Sequence, residues 1–145
     1  MMTLNGFITP LLNKLSPVQR KIILKKLIAQ LRDNNQQRIK AQQNPDGSAY
    51  TPRKSNPEIK GLKHKRGAMF SKLRLSKHLR LQINANEAAL GFSGRNGLIA
   101  RQHQEGIPDT SNSRIIPTTK RQLLGITADD EDVILDLLLR ELAQD

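Results

Sequence analysis

Leu79 to Gly106 reads LRLQINANEAALGFSGRNGLIARQHQEG. Leu79, Leu81 and Ile83 alternate with Arg80, Gln82 and Asn84, the period-2 pattern of a strand with one buried face. Asn84-Ala85-Asn86-Glu87 supplies a turn, and Ala88, Leu90 and Phe92 resume the alternation. The pair is predicted to be an antiparallel hairpin. Gly94 to Gly97 allows a sharp reversal. A short helix follows, with Leu98, Ile99 and Gln102 or His103 facing inward, and it ends at Gly106 as a left-handed C-cap.

Downstream of this stretch, Ile107 to Ser113 is a polar loop and Ile115-Ile116-Pro117 is predicted to be a short edge strand, because Pro117 cannot donate a ladder bond. Arg121 to Ile126 leads into a last helix over Ala128 to Ala143. Thr127 caps it, and Asp130 at the third helical position completes an acidic capping box. Asp129, Asp130, Glu131 and Asp132 stand where the helix dipole favours negative charge. Val133, Ile134, Leu137, Leu138 and Leu142 form the buried stripe, which Leu135, Leu139 and Ala143 broaden.

Upstream, Thr3 to Leu15 has helical spacing broken at Pro10 and is expected to be a short helix or a loosely attached arm. Ser16-Pro17 is a helix start, with Ser16 as N-cap and Pro17 at the first helical position. The helix from Pro17 is predicted to reach about Gln43, roughly 40 Å at 1.5 Å per residue. Val18, Ile23, Leu24, Leu27, Ile28, Leu31 and Ile39 make its apolar stripe, and Lys and Arg residues fill much of the rest. The stripe thins through Asp33-Asn34-Asn35-Gln36-Gln37, so the second half is expected to project from the core or to pack on a neighbouring subunit. Asn44-Pro45-Asp46-Gly47 is a turn signal. Ser48 to Gly67 is polar, broken by Pro52 and Pro57, and is expected to be a mobile loop with Tyr50 pinning it to the core. Ala68 to Ser76 is predicted to be a short helix with Met69, Phe70 and Leu73 on one side.

The chain therefore reads as α+β: a long N-terminal helix, a central antiparallel β-hairpin or small sheet with short helices, and a C-terminal helix packed on it. A single domain is expected over residues 1–145, with the mobile basic loop at about 48–67. A chain of 145 residues can bury a substantial core. There is no cysteine, which excludes a disulfide framework and thiolate metal sites. No apolar run approaches the roughly 20 residues that span a bilayer. The first residues lack a basic leader followed by a cleavage site, so no signal peptide is expected.

Net charge is +11 and unevenly spread: residues 1–80 carry 18 basic and 3 acidic side chains, residues 81–145 carry 6 and 10. Such polarity can steer binding to nucleic acid or to an acidic protein surface, and it can orient copies within an assembly. Lys60, Lys63, Lys65, Arg66, Lys72, Arg74, Lys77 and Arg80 form the densest basic stretch. They are candidates for phosphate contact without sequence specificity, or for a solvated loop that orders against an acidic protein partner. With one Tyr, three Phe and no Trp, there is no aromatic platform of the kind that stacks single-stranded bases.

No residue constellation points to catalysis. His64, His78 and His103 pair with neither each other nor a carboxylate at metal-binding spacing, and HExxH is absent. The carboxylates cluster where helix capping explains them, whereas acid/base work needs two converging across a cleft. Gly91, Gly94 and Gly97 are spaced for turns, and Gly91-Phe92-Ser93-Gly94 is no nucleophile elbow. The expectation is no enzyme, no catalytic residue, no metal and no cofactor, with His103 in a structural or interface role.

Three blocks, in order, resemble the phage virion morphogenesis or tail completion family of contractile-tailed phages. The first is Gln36-Gln37-Arg38-Ile39 followed by Asn44-Pro45-Asp46-Gly47-Ser48-Ala49-Tyr50-Thr51-Pro52. The second is Ala88-Ala89-Leu90-Gly91-Phe92, then Ile99 to Gly106 with its His103-Gln104-Glu105-Gly106 close. The third is Pro117, then Arg121-Gln122-Leu123-Leu124-Gly125-Ile126. Two departures stand out: Tyr50 where the family commonly has Trp, and an unusually basic Lys60–Arg80 stretch. The resemblance covers about Leu4 to Leu142. It implies a non-enzymatic structural protein that acts in tail completion at the head-proximal end, or neck, and makes tails competent for head joining. It further implies structural roles for Pro45, Asp46, Gly47, Tyr50, His103, Gly106, Arg121, Leu124 and Gly125. Other tail or neck proteins are the implied partners, with self-association into a ring, a hexamer if it matches the tail's symmetry. The implied location is the virion tail or neck, and the bacterial host cytoplasm during assembly. The alternative is a sequence-nonspecific nucleic-acid-binding protein using residues 60–80, in which the basic stretch contacts DNA.

Overall fold

The computed structural model describes residues 2–3, 9–52, 68–84, 87–110, 115 and 117–143. Its elements in chain order are β1 (Met2–Thr3), α1 (Thr9–Leu12), α2 (Pro17–Lys40), β2 (Leu79–Ile83), β3 (Ala88–Phe92), α3 (Gly94–Glu105) and α4 (Ala128–Ala143). The chain is α+β, with the long helix α2 before the hairpin and the amphipathic helix α4 last.

The hairpin forms as its alternation predicts. Leu79 pairs with Phe92 and Ile83 with Ala88 in antiparallel register. Across the turn, Asn84 Oδ1 accepts from the Glu87 N–H at 2.8 Å. The N-terminal segment holds the expected short helix as α1, but its first residues add a strand. Met2 and Thr3 pair with Leu90 and Ala89, which makes β3 the middle strand of a sheet ordered β1-β3-β2. β3 is paired on both edges and also packs against α2 and α3, and Ala88 to Gly91 are accordingly all buried.

Ser16 and Gln19 close a reciprocal capping box at the start of α2, with the Gln19 N–H donating to Ser16 Oγ at 3.2 Å. Leu24, Leu27, Ile28 and Leu31 lose all solvent contact against the sheet and α4, each contributing roughly 1.5–3 kcal/mol of hydrophobic stabilisation. α4 runs antiparallel to α2: Lys26 Nζ meets Glu141 Oε1 at 2.9 Å, and Asn34 Nδ2 donates to Asp130 Oδ1 at 2.9 Å. The acidic capping box of α4 is present: the Asp130 N–H donates to Thr127 Oγ1 at 3.0 Å, and the Thr127 N–H to Asp130 Oδ2 at 2.9 Å.

Several expectations need correction. The second half of α2 does not project. Asn35 and Ile39 are fully buried there, because Asn35 continues the phase of Leu24, Ile28 and Leu31 and finds polar partners inside. Residues 68–76 form successive turns, not a helix; Phe70 sits at φ 63°, in the left-handed region, which a continuous right-handed helix excludes. Gly94 does not reverse the chain but opens α3 after Ser93. Leu98 and Ile99 point outward and Ala100 inward, since the close face of that helix admits only a small residue; a Cβ on Gly97 would lie 2.9 Å from the Phe92 carbonyl oxygen. Ile115 is exposed and neither it nor Pro117 is in a strand, while Ile116 is outside the described residues. Val18, Val133, Leu135 and Leu139 are exposed; their helices are each covered along one flank, so the outer edge of each apolar stripe stays open. The expected mobile loop falls mostly on residues 53–67, outside the described residues.

Candidate functional site

The three motif blocks, which lie far apart in sequence, meet at one junction. α2 delivers Asn35 and Arg38, and the helix is stopped by Gln42 in the left-handed region at φ 59°. The Gln42 side chain then binds backbone on both sides: its Nε2 donates to the carbonyls of Ile39 at 2.7 Å and Met69 at 2.9 Å, and its Oε1 accepts from the Met69 N–H at 2.8 Å. The chain reverses through Asn44-Pro45-Asp46-Gly47. The Gly47 N–H donates to the Asn44 carbonyl at 2.9 Å, and Gly47 takes φ 89°, where any Cβ is strained. Asp46 Oδ1 accepts from the Ser48 N–H at 2.8 Å and from the Ser48 hydroxyl. These bonds hold the Asp46 carboxyl below its usual pKa. A bridge between Gln43 and Ala49 then returns Tyr50 toward the helix.

Residues 121–125 cross this junction outside any helix or strand, and no strand among the described residues pairs with them. Their backbone groups need partners all the same, and side chains of the motif blocks, with Asn35 just before the first, supply them. The Gln122 N–H donates to Asn44 Oδ1 at 2.9 Å. The Leu123 and Leu124 N–H groups both donate to Gln104 Oε1, at 2.8 and 2.9 Å. The Gly125 N–H donates to Asn35 Oδ1 at 3.1 Å. In return, the carbonyls of Gln122, Leu123 and Leu124 accept from the Tyr50 hydroxyl, Arg38 Nη2 and Gln104 Nε2, at 2.8, 2.9 and 2.9 Å. The Arg121 N–H donates to the His103 carbonyl at 2.7 Å, and Arg121 Nε reaches the Thr51 carbonyl at 2.7 Å. Amide side chains thus do for this segment what a neighbouring strand would otherwise do.

Behind the polar layer, Ile39, Tyr50, Ala100 and Leu123 form a small core with Phe70 packed against it. Phe70 meets the Tyr50 and His103 rings edge-on, at centroid distances of 5.7 and 4.8 Å. Burial and the neighbouring Arg121 lower the pKa of His103, against a raising backbone hydrogen bond at Thr119, which favours the neutral imidazole. Burial likewise lowers Arg38 from its ordinary value. Gly106 ends α3 at φ 69°, its N–H bound to the Gln102 carbonyl, and a Cβ there would approach Lys120 Cβ to 3.2 Å.

Burial pushes the Tyr50 phenol up to about 12, with Arg38 and Arg121 opposing. The unfolded value is near 10, so the fold favours the neutral phenol. Its stabilising contribution is whole below pH 10 and is lost as pH rises through 10 to 12. Tyr50→Phe is expected to cost about 1 kcal/mol near neutral pH, from the bond to Gln122. It should also flatten the alkaline limb of the stability curve; urea midpoints measured from neutral pH up to about 12 check both.

An open cleft of about 600 Å³ lies beside the junction, lined by Arg38, Asn44, Pro45, Asp46, Asp129 and Val133 among others. Asp130 on its wall is committed to Asn34 and Thr127. Among the described residues no group of three His, Cys, Asp or Glu could hold a metal.

The structure brings Pro45, Asp46, Gly47, Tyr50, His103, Gly106, Arg121, Leu124 and Gly125 together. It does not add the basic residues to them. Lys72 and Lys77 are exposed on the irregular segment before β2, Arg80 is exposed on β2, and Arg74 is half-buried; Lys60, Lys63, Lys65 and Arg66 lie outside the described residues. Sequence reasoning missed Asn35, Asn44 and Gln104 as organising side chains. For Asn35 a signal existed, since it falls four residues after Leu31 and four before Ile39, inside the buried stripe.

Residues 2–143 match the phage virion morphogenesis family. The chain belongs to that family. It is similar to tail completion protein S of Escherichia phage P2, with 32% identity over 138 residues that cover 93% of this chain and 92% of the relative. No solved structure matches. For a family member of this kind, the order of the blocks has a spatial sense: each supplies a different wall of the junction around residues 121–125.

Proposed function

We propose that this virion morphogenesis protein is a structural, non-enzymatic component that completes the phage tail at its head-proximal end and leaves it competent to join a head. The single observation that carries the reading is the relationship to a tail completion protein along nearly the whole of both chains. The motif residues then serve as scaffold: they fix α2, α3 and the entry to α4 in one arrangement, so that the outer helix faces are presented rigidly to other tail or neck proteins. In this reading the protein is associated with the virion tail or neck, is assembled there from the host cytoplasm, and forms a homo-oligomeric ring, a hexamer where it follows the tail's symmetry.

Deleting the gene from its phage tests this. Lysates viewed by electron microscopy should contain filled heads and tails that stay separate. Normal virions, or a complete lack of tails, would overturn the reading.

A further inference from the structure

We propose that copies of this chain associate head to tail through two different apolar patches, one rimmed by lysines on α2 and one rimmed by carboxylates on α4. The proposal deepens the ring reading above and rests on it. On α2, Val18 is 70% exposed and Ile22 52% exposed. At 3.6 residues per turn they lie roughly 120–160° around the helix from the buried Leu24, facing away from the core. Lys21 and Lys25 flank them, both exposed. On α4, the side that meets α2 is marked by Asp130 and Glu141. Leu135, 38% exposed, and Leu139, 50% exposed, lie roughly 120–180° around from those two residues. Glu131, Asp132 and Asp136 border that pair and are exposed.

Single exposed apolar residues are ordinary. Here each helix carries two on one face, one turn apart, Val133 of α4 being turned to the cleft, and the charges around them are opposite in sign. Asp136 is engaged by Arg140 on its own helix at 2.8 Å, whereas Lys21, Lys25, Glu131 and Asp132 have no ion pair among the described residues. The occupant that matches both the apolar stripe and the charge of either patch is the other patch on a second copy. The contrast between a basic residue 1–80 portion and an acidic remainder is the same complementarity at the scale of the chain. A contact between two unlike patches is heterologous: it leaves one of each free and continues until a ring closes.

Two variants of the full chain test this by light scattering. Ile22→Asp disables the α2 patch and Leu139→Asp the α4 patch. The wild type is expected to show a discrete multiple of 16.3 kDa, and each variant alone the monomer mass. An equimolar mixture should give a mass twice the monomer, because one intact junction forms between the variants and the other meets Asp against Asp. A wild-type mass in either variant, or a mixture that stays monomeric with both variants folded by circular dichroism, overturns the proposal. Should a variant fail to fold, charge reversal decides: Lys21→Glu with Lys25→Glu, or Glu131→Lys with Asp132→Lys, should each abolish the ring, and all four in one chain should restore it. Failure to restore overturns it. A wild type that is monomeric at every concentration yet restores head joining overturns the self-contact and spares the tail role; a ring that cannot restore joining does the reverse.

Discussion

Gly125→Ala is expected to destabilise the protein by about 2–3 kcal/mol, the upper part of the range for an overpacked interior, lowering the melting temperature by roughly 8 °C. A Cβ built on Gly125 lies 2.7 Å from Pro45 Cβ and closer still to Pro45 Cγ. Neither side can easily withdraw. The proline ring cannot rotate out of the way, and its turn is clamped by the Gly47 to Asn44 bond. The Gly125 backbone is held by Asn35. The collision therefore has to be relieved by moving the 121–125 segment, which would stretch the bonds to Gln104 and Asn35. Pro45→Gly removes both ring contacts. The double variant Gly125→Ala with Pro45→Gly should consequently lose less than the two single losses added together, by about 1 kcal/mol or more. Urea denaturation of the four proteins measures the coupling. Strict additivity would show that the two residues do not face each other.

Asn35→Ala is expected to cost about 3–4 kcal/mol, the sum of the groups it leaves unmatched. Asn35 is fully buried and serves three partners: its Nδ2 donates to the Leu31 carbonyl at 2.7 Å, and its Oδ1 accepts from Arg38 Nη2 at 2.6 Å and from the Gly125 N–H. Truncation leaves a part-buried amide N–H with no acceptor and takes one acceptor from a partly buried guanidinium. Unmatched groups of this kind cost roughly 1–3 kcal/mol each. Asn35→Leu separates polarity from packing. It fills the volume and suits the apolar phase of α2, so a packing role would make it tolerated. The expectation is a loss as large as that of alanine, again read from urea unfolding.

The hairpin, the Ser16 N-cap, the Thr127–Asp130 capping box and α4 were legible in the sequence because each rests on local rules: alternation of period 2, a turn of small polar residues, and a hydroxyl at the helix start. What was not legible depends on which flank of an element the rest of the chain covers. Leu135 and Leu139 have the right spacing to be core, yet α2 covers the other flank. Leu98 looks apolar and inward, but the approach of α3 to β3 admits Ala100 and Gly97 instead. Asn35 reads as a gap in a stripe until its partner 90 residues away is known. The resemblance supplied the order of the motif blocks, and the structure adds why they belong together: amides and an arginine from two blocks satisfy the backbone of the third. Phe70 was misjudged for the opposite reason. Its spacing with Leu73 suggested a helix, while packing between Tyr50 and His103 holds it at a left-handed turn.

In vitro complementation shows whether the protein completes tails. Purified protein is added to a lysate of the phage from which its gene has been deleted, and plaques are counted. The tail-completion reading predicts that infectivity rises by orders of magnitude as stored tails join stored heads. A plaque count unchanged by folded protein at any concentration would contradict it.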